Sequence, residues 1–442
     1  MKPQADRYHW KHMEAIPRAD LRQNPTAPVS SPSQRLIPLL GLATGITVSA
    51  LYFNQPLLIE MARSLHVTEA QMSHVAVAAQ AGYAIGLLFF VPLGDVLERR
   101  ALILKMIAGL VLSMLVTAVV HSLLPMVLIT ILTGAMAAVT HVLLPIAPEV
   151  ATPANAGRAV GSVMTGLLLG ILLSRTFSGW IGEWLNWRAV FLIASVLCVA
   201  LAFLLLRALP LLPPRAPMPY GRALISLWTL LRTQPLLVES ATVGGLVFAS
   251  FSAFWTTLVF LLGSPHYRLG AGVAGSFGVL GAIGASVAPI AGRLADRYGS
   301  RRVISIGLSM LILSWGITWI FGYRVAGLVL GVLLMDAGAQ TTQVSNQTRI
   351  FSLAHCPGTA FGARSRINTV YMTTYFIFGA LGSWLGAHAW ERWQWNGVCS
   401  LALLLLALAA ARHAYGTWHN RDKEELCHDE VDVALAEEAI GG

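Results

Sequence analysis

GRLADRYGSRR at residues 292–302 and VPLGDVLERR at residues 91–100 are two versions of one short charged loop, each set at the end of an apolar run. Asp296 and Asp95 hold the same place in the two copies, 201 positions apart, and each precedes an arginine pair, Arg301 and Arg302 or Arg99 and Arg100. A motif repeated at that spacing in a chain of 442 residues indicates that one half is a copy of the other. Two later runs end alike as well, GWIGEWLNWR at 179–188 against SWLGAHAWERWQWN at 383–396.

Outward from these loops, windows apolar enough to cross a bilayer core of about 30 Å, roughly 20 residues each, can be marked twelve times. They run over 36–59, 72–93, 101–120, 124–147, 159–182, 188–209, 236–262, 270–291, 303–322, 325–348, 361–386 and 396–415. The expected fold is therefore an all-α membrane protein of twelve transmembrane helices in two pseudo-symmetric six-helix bundles, 36–209 and 236–415. A Pro-rich, basic cytoplasmic linker, 210–235, separates them. Residues 1–35 are polar and Pro-rich with no apolar core, so they are expected to form a cytoplasmic tail and not a signal peptide. Residues 416–442 are expected to form an acidic cytoplasmic tail.

Composition agrees. The chain is 56% hydrophobic and 12% charged, with a mean hydropathy of +0.66, whereas soluble domains carry about 25% charged residues. The net charge of +9 does not form an aromatic-interleaved patch, so no nucleic-acid partner is expected. Cys198, Cys356, Cys399 and Cys427 are far apart with no metal-ligand spacing, so neither a disulfide frame nor a metal is expected.

Charge placement gives the orientation. With both termini inside, 24 of the 30 Lys and Arg fall on the cytoplasmic side, five outside (Arg63, Arg188, Arg268, Arg324, Arg392) and one, Arg175, within a helix. Trp180, Trp184 and Trp187, with Trp390, Trp393 and Trp395, gather at the outer ends of corresponding helices as an interfacial belt would.

The stretch 292–302 resembles the signature G-x-L-a-D-r-x-G-r-R of the major facilitator superfamily, placed in the loop after helix eight. The counterpart at 91–100 keeps Leu93, Asp95, Arg99 and Arg100 but has Val91 and Glu98 where the pattern puts glycines. By helix count, loop placement and duplication the resemblance covers roughly residues 36–415. Helix eleven, from Arg364 to Ser383, is similar to bacterial drug and sugar efflux permeases of the drug:proton antiporter-like branch. The resemblance implies a monomer in the bacterial inner membrane that exports a small organic molecule against protons. Helix five departs from the antiporter pattern G-P-x-x-G-G, because Arg175 stands where the proline belongs, so antiport does not carry over from that motif.

An Asp between two helix ends can accept from backbone N–H groups of a neighbouring helix and from nearby Arg, which makes Asp95, Arg99, Arg100, Asp296, Arg297 and Arg301 candidate inner-side latches. The alternative is that the arginines serve topology alone. Asp336 is the acid farthest from a helix end, about 16 Å into helix ten at 1.5 Å per residue, and intramembrane ionisable groups are costly enough to suggest function. It is a candidate proton carrier or a structural ion pair. Arg175, about 10 Å into helix five, could pair with it across the halves, or bond to Asn54 or Gln55, or bind a carboxylate. The polar run Gln340, Gln343 and Asn346 suggests a wet cavity. Asn54, Gln55, Gln80, Tyr83, His141, Tyr371 and Tyr375 are further substrate-site candidates, each open to a plain packing role. The glycine row Gly275, Gly278, Gly281 and Gly284, like Gly166 and Gly170, is expected to form packing or sliding faces.

No phosphate-binding loop and no hydrolase motif occurs, so neither a primary pump, an enzyme nor a cofactor is expected. The expected partners are a small-molecule substrate, protons and the lipid bilayer. Proton-coupled efflux is the leading function; uptake or facilitated diffusion of a sugar or organic anion is the alternative, and a transport-dead receptor or channel is the alternative from another class.

Overall fold

The computed structural model describes residues 36–152, 155–214, 219–353 and 363–419. The expected tails at 1–35 and 420–442 lie outside the described residues. Among the described residues every regular element is helical. Ten helices among the described residues are long and apolar enough to cross a membrane. One of these, Ser365–His419, has 55 residues and would be about 80 Å long if straight. It holds two crossings, because Gln394 leaves the helical region at φ 53° and ψ −148°. The first helix, shorter and interrupted, completes twelve crossing segments among the described residues.

These are α1 (36–64), α2 (Glu69–Val96), α3 (Arg99–Val119), α4 (Leu123–Val150), α5 (Ala156–Trp184), α6 (Trp187–Ala208), α7 (Pro235–Gly263), α8 (Ala271–Tyr298), α9 (Ser300–Phe321), α10 (Val325–Ser352), α11 (363–393) and α12 (395–419). Local chemistry sets their limits. Thr68 and Gln71 close a capping box on α2, and Glu98 caps α3 by accepting from the N–H groups of Arg100 and Ala101. Proline interrupts four crossings by removing an N–H and crowding the preceding turn: Pro56 in α1, Pro92 in α2, Pro145 in α4 and Pro289 in α8. The expected uniform helix over 36–59 is therefore corrected to Leu36–Ser49, a turn, a 3-10 segment Gln55–Leu57 and Leu58–Ser64. Within 210–235 lies a helix, Tyr220–Thr233, that the Pro-rich composition of that stretch did not suggest.

Helix pairing repeats between the halves. In the first six helices α1 packs on α5, α2 on α4 and α3 on α6; in the second six α7 packs on α11, α8 on α10 and α9 on α12. Glycines let several of these backbones touch: a methyl at Gly45 would sit 2.7 Å from the Gly166 carbonyl oxygen, and one at Gly386 would lie 2.8 Å from the Ala253 methyl. Large apolar side chains such as Val196 and Ile320 face outward, as lipid contact requires.

Two pairs make the most extensive contacts between the halves, α5 with α8 and α2 with α11. At the tryptophan-rich end α5 and α8 are zipped by Thr176 donating to the Gly275 carbonyl (2.9 Å), Trp180 donating to Ser276 (3.0 Å) and Gly272 N–H donating to Glu183 (2.7 Å). Toward the arginine-rich end they part. Gly179 and Gly161 are about five turns apart on one face of α5. A methyl at Gly179 would collide with the Ala271 carbonyl, whereas one at Gly161 would meet nothing within 4 Å. The halves thus form a wedge, closed at the tryptophan end and open along this seam at the basic end.

Candidate functional site

Arg175 is 2% exposed and sits in the closed part of the wedge. The interruption at Pro56 places Gln55 against it, and Arg175 Nε donates to Gln55 Oε1 at 2.7 Å. Its guanidinium carbon lies 4.6 Å from the ring centre of Tyr52 and 4.2 Å from that of Trp255, so α1 and α7 clamp the cation between aromatic faces. Asp336 is 3% exposed on α10, and its Oδ2 has no hydrogen-bond partner. A methyl at Gly281 of α8 would lie 3.1–3.2 Å from both carboxylate oxygens, and one at Gly278 would lie 3.2 Å from Arg175 Cβ. The glycine row of α8 therefore runs between the two charges and lets both helices approach.

Arg175 and Asp336 lie close enough to act on each other electrostatically but form no ion pair in this conformation. The pair expected from their depths is not formed in this conformation, where Gln55, the other partner considered for Arg175, holds the guanidinium.

The remaining substrate-site candidates separate by their contacts. Tyr375 donates to Gln343 Oε1 (3.3 Å) and stacks on Phe248 at 4.0 Å; Tyr371, at 5.9 Å from Tyr375, has an unpartnered hydroxyl. Asn346 is fully buried with neither amide atom bonded, and Asn54 Oδ1 is unpartnered too. Gln340 is half-buried beside them on α10. Such orphans are costly unless water or a solute satisfies them, and α10 and α11 also carry Ser345, Asn368 and Thr373 in this condition. Gln80 is different: it donates to Ser383 at 2.8 Å and accepts from Ser252 at 3.1 Å, tying α2 to α11 and α7. Tyr83 packs between Phe376 (4.4 Å) and His141 (5.8 Å).

At the basic end Arg99 makes a two-pronged ion pair with Glu149 of α4, at 2.9 and 2.7 Å. Arg100 donates to the Leu206 carbonyl, and Asp95 is half-buried within electrostatic range of Arg99. In the second half Arg301 donates to Glu239 at 3.3 Å and to Thr417 at 3.1 Å, and Arg297 lies over its neighbour Tyr298. Asp296 is exposed and has no partner among the described residues. The arginines expected around the two aspartates thus serve contacts inside each half in this conformation.

Twelve crossings in two similarly paired sets of six, with charged loops at matching places, narrow the comparison. The sequence model of the Major Facilitator Superfamily matches residues 40–365. This chain belongs to that superfamily. YgaY, a transporter of Escherichia coli O157:H7, is 41% identical over 374 residues, covering 85% of this chain and 93% of YgaY. The Streptomyces coelicolor protein named "Probable transporter SCO4007" is 31% identical over 395 residues, covering 89% and 90%. A crystal structure of a bacterial homolog to the human lysosomal transporter Spinster superposes with a TM-score of 0.68 at 14% identity, covering 86% of this chain and 95% of that one. The nucleoside transporter NupG, in a mutant form, gives 0.66 at 14% identity, covering 85% and 99%. These two show the fold. The superfamily member described here is a multi-pass membrane transporter, and no catalytic family is indicated.

Several residues of this transporter were not singled out in the sequence. Tyr52 and Trp255 read as ordinary aromatics in apolar helices. Glu239, fully buried near the start of α7, binds Arg349 at 2.7 Å as well as Arg301, forming a buried charge cluster. An acid inside the window 236–262 was a visible signal, whereas Arg349 fell one residue beyond the window 325–348.

Proposed function

We propose that this transporter moves a small organic solute by alternating access, coupled to protons carried on Asp336. The observation that carries this is Asp336 itself: a buried carboxyl with an unpartnered oxygen, in electrostatic range of a buried arginine that it does not bond. An isolated carboxylate in a low-dielectric site takes a proton, and a cation brought to bonding distance expels it. Rocking of the halves changes the distance between α5 and α10, which gives the alternation that coupling needs.

The wedge fits a state open toward the basic end, and the 24-to-5 charge asymmetry makes that end cytoplasmic, with both termini inside a bacterial inner membrane. In this state Asp296 stands free, as a latch does when the inner side is open; with Asp95, Arg99, Arg100, Arg297 and Arg301 it forms the inner gate. Asn54, Gln55, Gln340, Gln343, Asn346, Tyr371 and Tyr375 line the solute path, with Gln80, Tyr83 and His141 at its margin. Export is the leading direction, and the E. coli protein named Multidrug resistance protein D is 29% identical over 176 residues, 40% of this chain. The caged Arg175 favours a second reading, movement of an organic anion together with a proton.

Transport by Asp336→Asn in proteoliposomes tests the coupling. Gradient-driven flux is expected to be lost while substrate exchange survives. Gradient-driven flux at the unsubstituted rate would refute the assignment, and loss of folded protein would give Asp336 a structural role.

A further inference from the structure

What Arg175 is for depends on the second reading above, in which an organic anion moves together with a proton. Of the three arginines buried among the described residues, Arg99 and Arg349 each hold a carboxylate at 2.7 Å, and Arg175 holds none. Its Nε is taken by Gln55, and Tyr52 and Trp255 lie within cation–π distance. Nη1 and Nη2 have no hydrogen-bond partner among the described residues, and the side chain borders a small cavity with Gln55 and Trp255. The edge left over is the one that binds a carboxylate through two parallel N–H···O bonds.

We propose that Arg175 is the substrate-binding cation and that the substrate is an organic monoanion, carried in the same direction as one proton on Asp336. Charge balance supplies the reason. In the empty site Arg175 and ionised Asp336 sum to zero. With a monoanion on Arg175 and a proton on Asp336 the sum is again zero. The anion alone or the proton alone leaves an uncompensated charge in a low-dielectric interior, which opposes closure of the halves around it. Only the empty and the doubly loaded forms rock freely. A cationic substrate meets repulsion from Arg175 at every step. The charged and titratable groups that face Asp336 among the described residues are Arg175 from α5 and Tyr375 from α11, while α8 presents Gly281 and Gly284.

Three molecules on one ring test this: benzoate, neutral benzamide and cationic benzylamine, bound at equilibrium to the purified full-length protein from mildly acid to mildly alkaline buffer. Saturable benzoate binding is expected, weakening by about tenfold per pH unit above the titration of Asp336 because one proton is bound with the anion. Benzamide and benzylamine should fail to compete. Arg175→Gln should abolish binding and Arg175→Lys should retain a weaker form, with size-exclusion chromatography confirming folded protein. In Asp336→Asn, fixed in the neutral form, benzoate should bind without pH dependence. Preference for benzylamine, benzoate binding unchanged in Arg175→Gln, or no saturable benzoate binding in acid buffer would overturn the proposal. Benzoate bound through Arg175 with one affinity at every pH would uphold the anion site and refute the proton coupling on which the pairing rests.

Discussion

A methyl group placed on either of two glycines of α5 should push the conformational equilibrium in opposite directions. At Gly179 the added methyl would strike the Ala271 carbonyl, with the Ala271 carbonyl carbon at 3.1 Å and Gly275 Cα at 3.2 Å, inside the optimum separation of about 3.5–4.0 Å. These neighbours are backbone and cannot rotate away, so α5 and α8 must separate by several tenths of an ångström. Overpacking of this kind costs about 1–3 kcal/mol. The cost falls on the state closed at the tryptophan end, and shifts the two-state ratio away from it by about 5- to 150-fold. At Gly161 the same methyl meets nothing within 4 Å in the present conformation. If the seam closes there in the opposite state, Gly161→Ala penalises that state by a similar amount and favours the one described here. Spin labels on exposed Leu185 and Arg268, either side of the tryptophan-end seam, would report the populations as a distance distribution. Gly179→Ala is expected to enrich long distances and Gly161→Ala short ones. An unchanged distribution in Gly179→Ala, or both variants moving the same way, would refute the wedge as the moving seam.

Glu239→Gln should lower stability by about 3–5 kcal/mol, since it leaves Arg349 and Arg301 without the buried carboxylate between them; thermal unfolding in detergent measures it, and a loss near zero would contradict the cluster. The Glu98 carboxyl, in the loop between α2 and α3, is pushed up by burial but held below its ordinary range overall by the N–H groups of Leu212, Ala101 and Arg100 and by the Arg100 charge. A lowered folded value means its stabilisation is full above the unfolded value and lost as pH falls through the folded one. Glu98→Gln should therefore lower the unfolding temperature at neutral pH by a margin that shrinks in acid, and a constant margin would be inconsistent with this. Tags at residues 2 and 440 should both be shielded from outside reagents in intact cells; labelling of one and not the other would break the predicted topology.

Depth was legible in the sequence, and direction around each helix was not. Apolar windows and the repeated loop at Asp95 and Asp296 marked twelve crossings and two halves, because desolvating charge is costly enough to confine it to helix ends. The same cost made Arg175 and Asp336 conspicuous. Counting at 1.5 Å per residue placed them at compatible depths, but the rotation of α5 and the break at Pro56 decide that in this conformation Arg175 meets Gln55. Tyr52 and Trp255 were invisible as a clamp, since nothing local distinguishes a ring that faces a cation from one that faces lipid. Glu239 lay in plain view within an apolar window, yet its meaning depends on Arg301 and Arg349 from two other helices.

At its closest points the seam between α5 and α8 is built of backbone, at Gly179, Gly275 and Gly278, and the side chains that bond across it are few: Thr176, Trp180 with Ser276, and Glu183. A joint made of larger side chains must reset rotamers each time it opens, and re-freezing each one costs up to about 2 kcal/mol of entropy. Glycine has no such freedom to lose. Once the bonds of Thr176, Trp180 and Glu183 part, one helix can roll on the other as a bearing rolls in its race, so the waiting time between the two orientations is set by those bonds, by charge and by cargo.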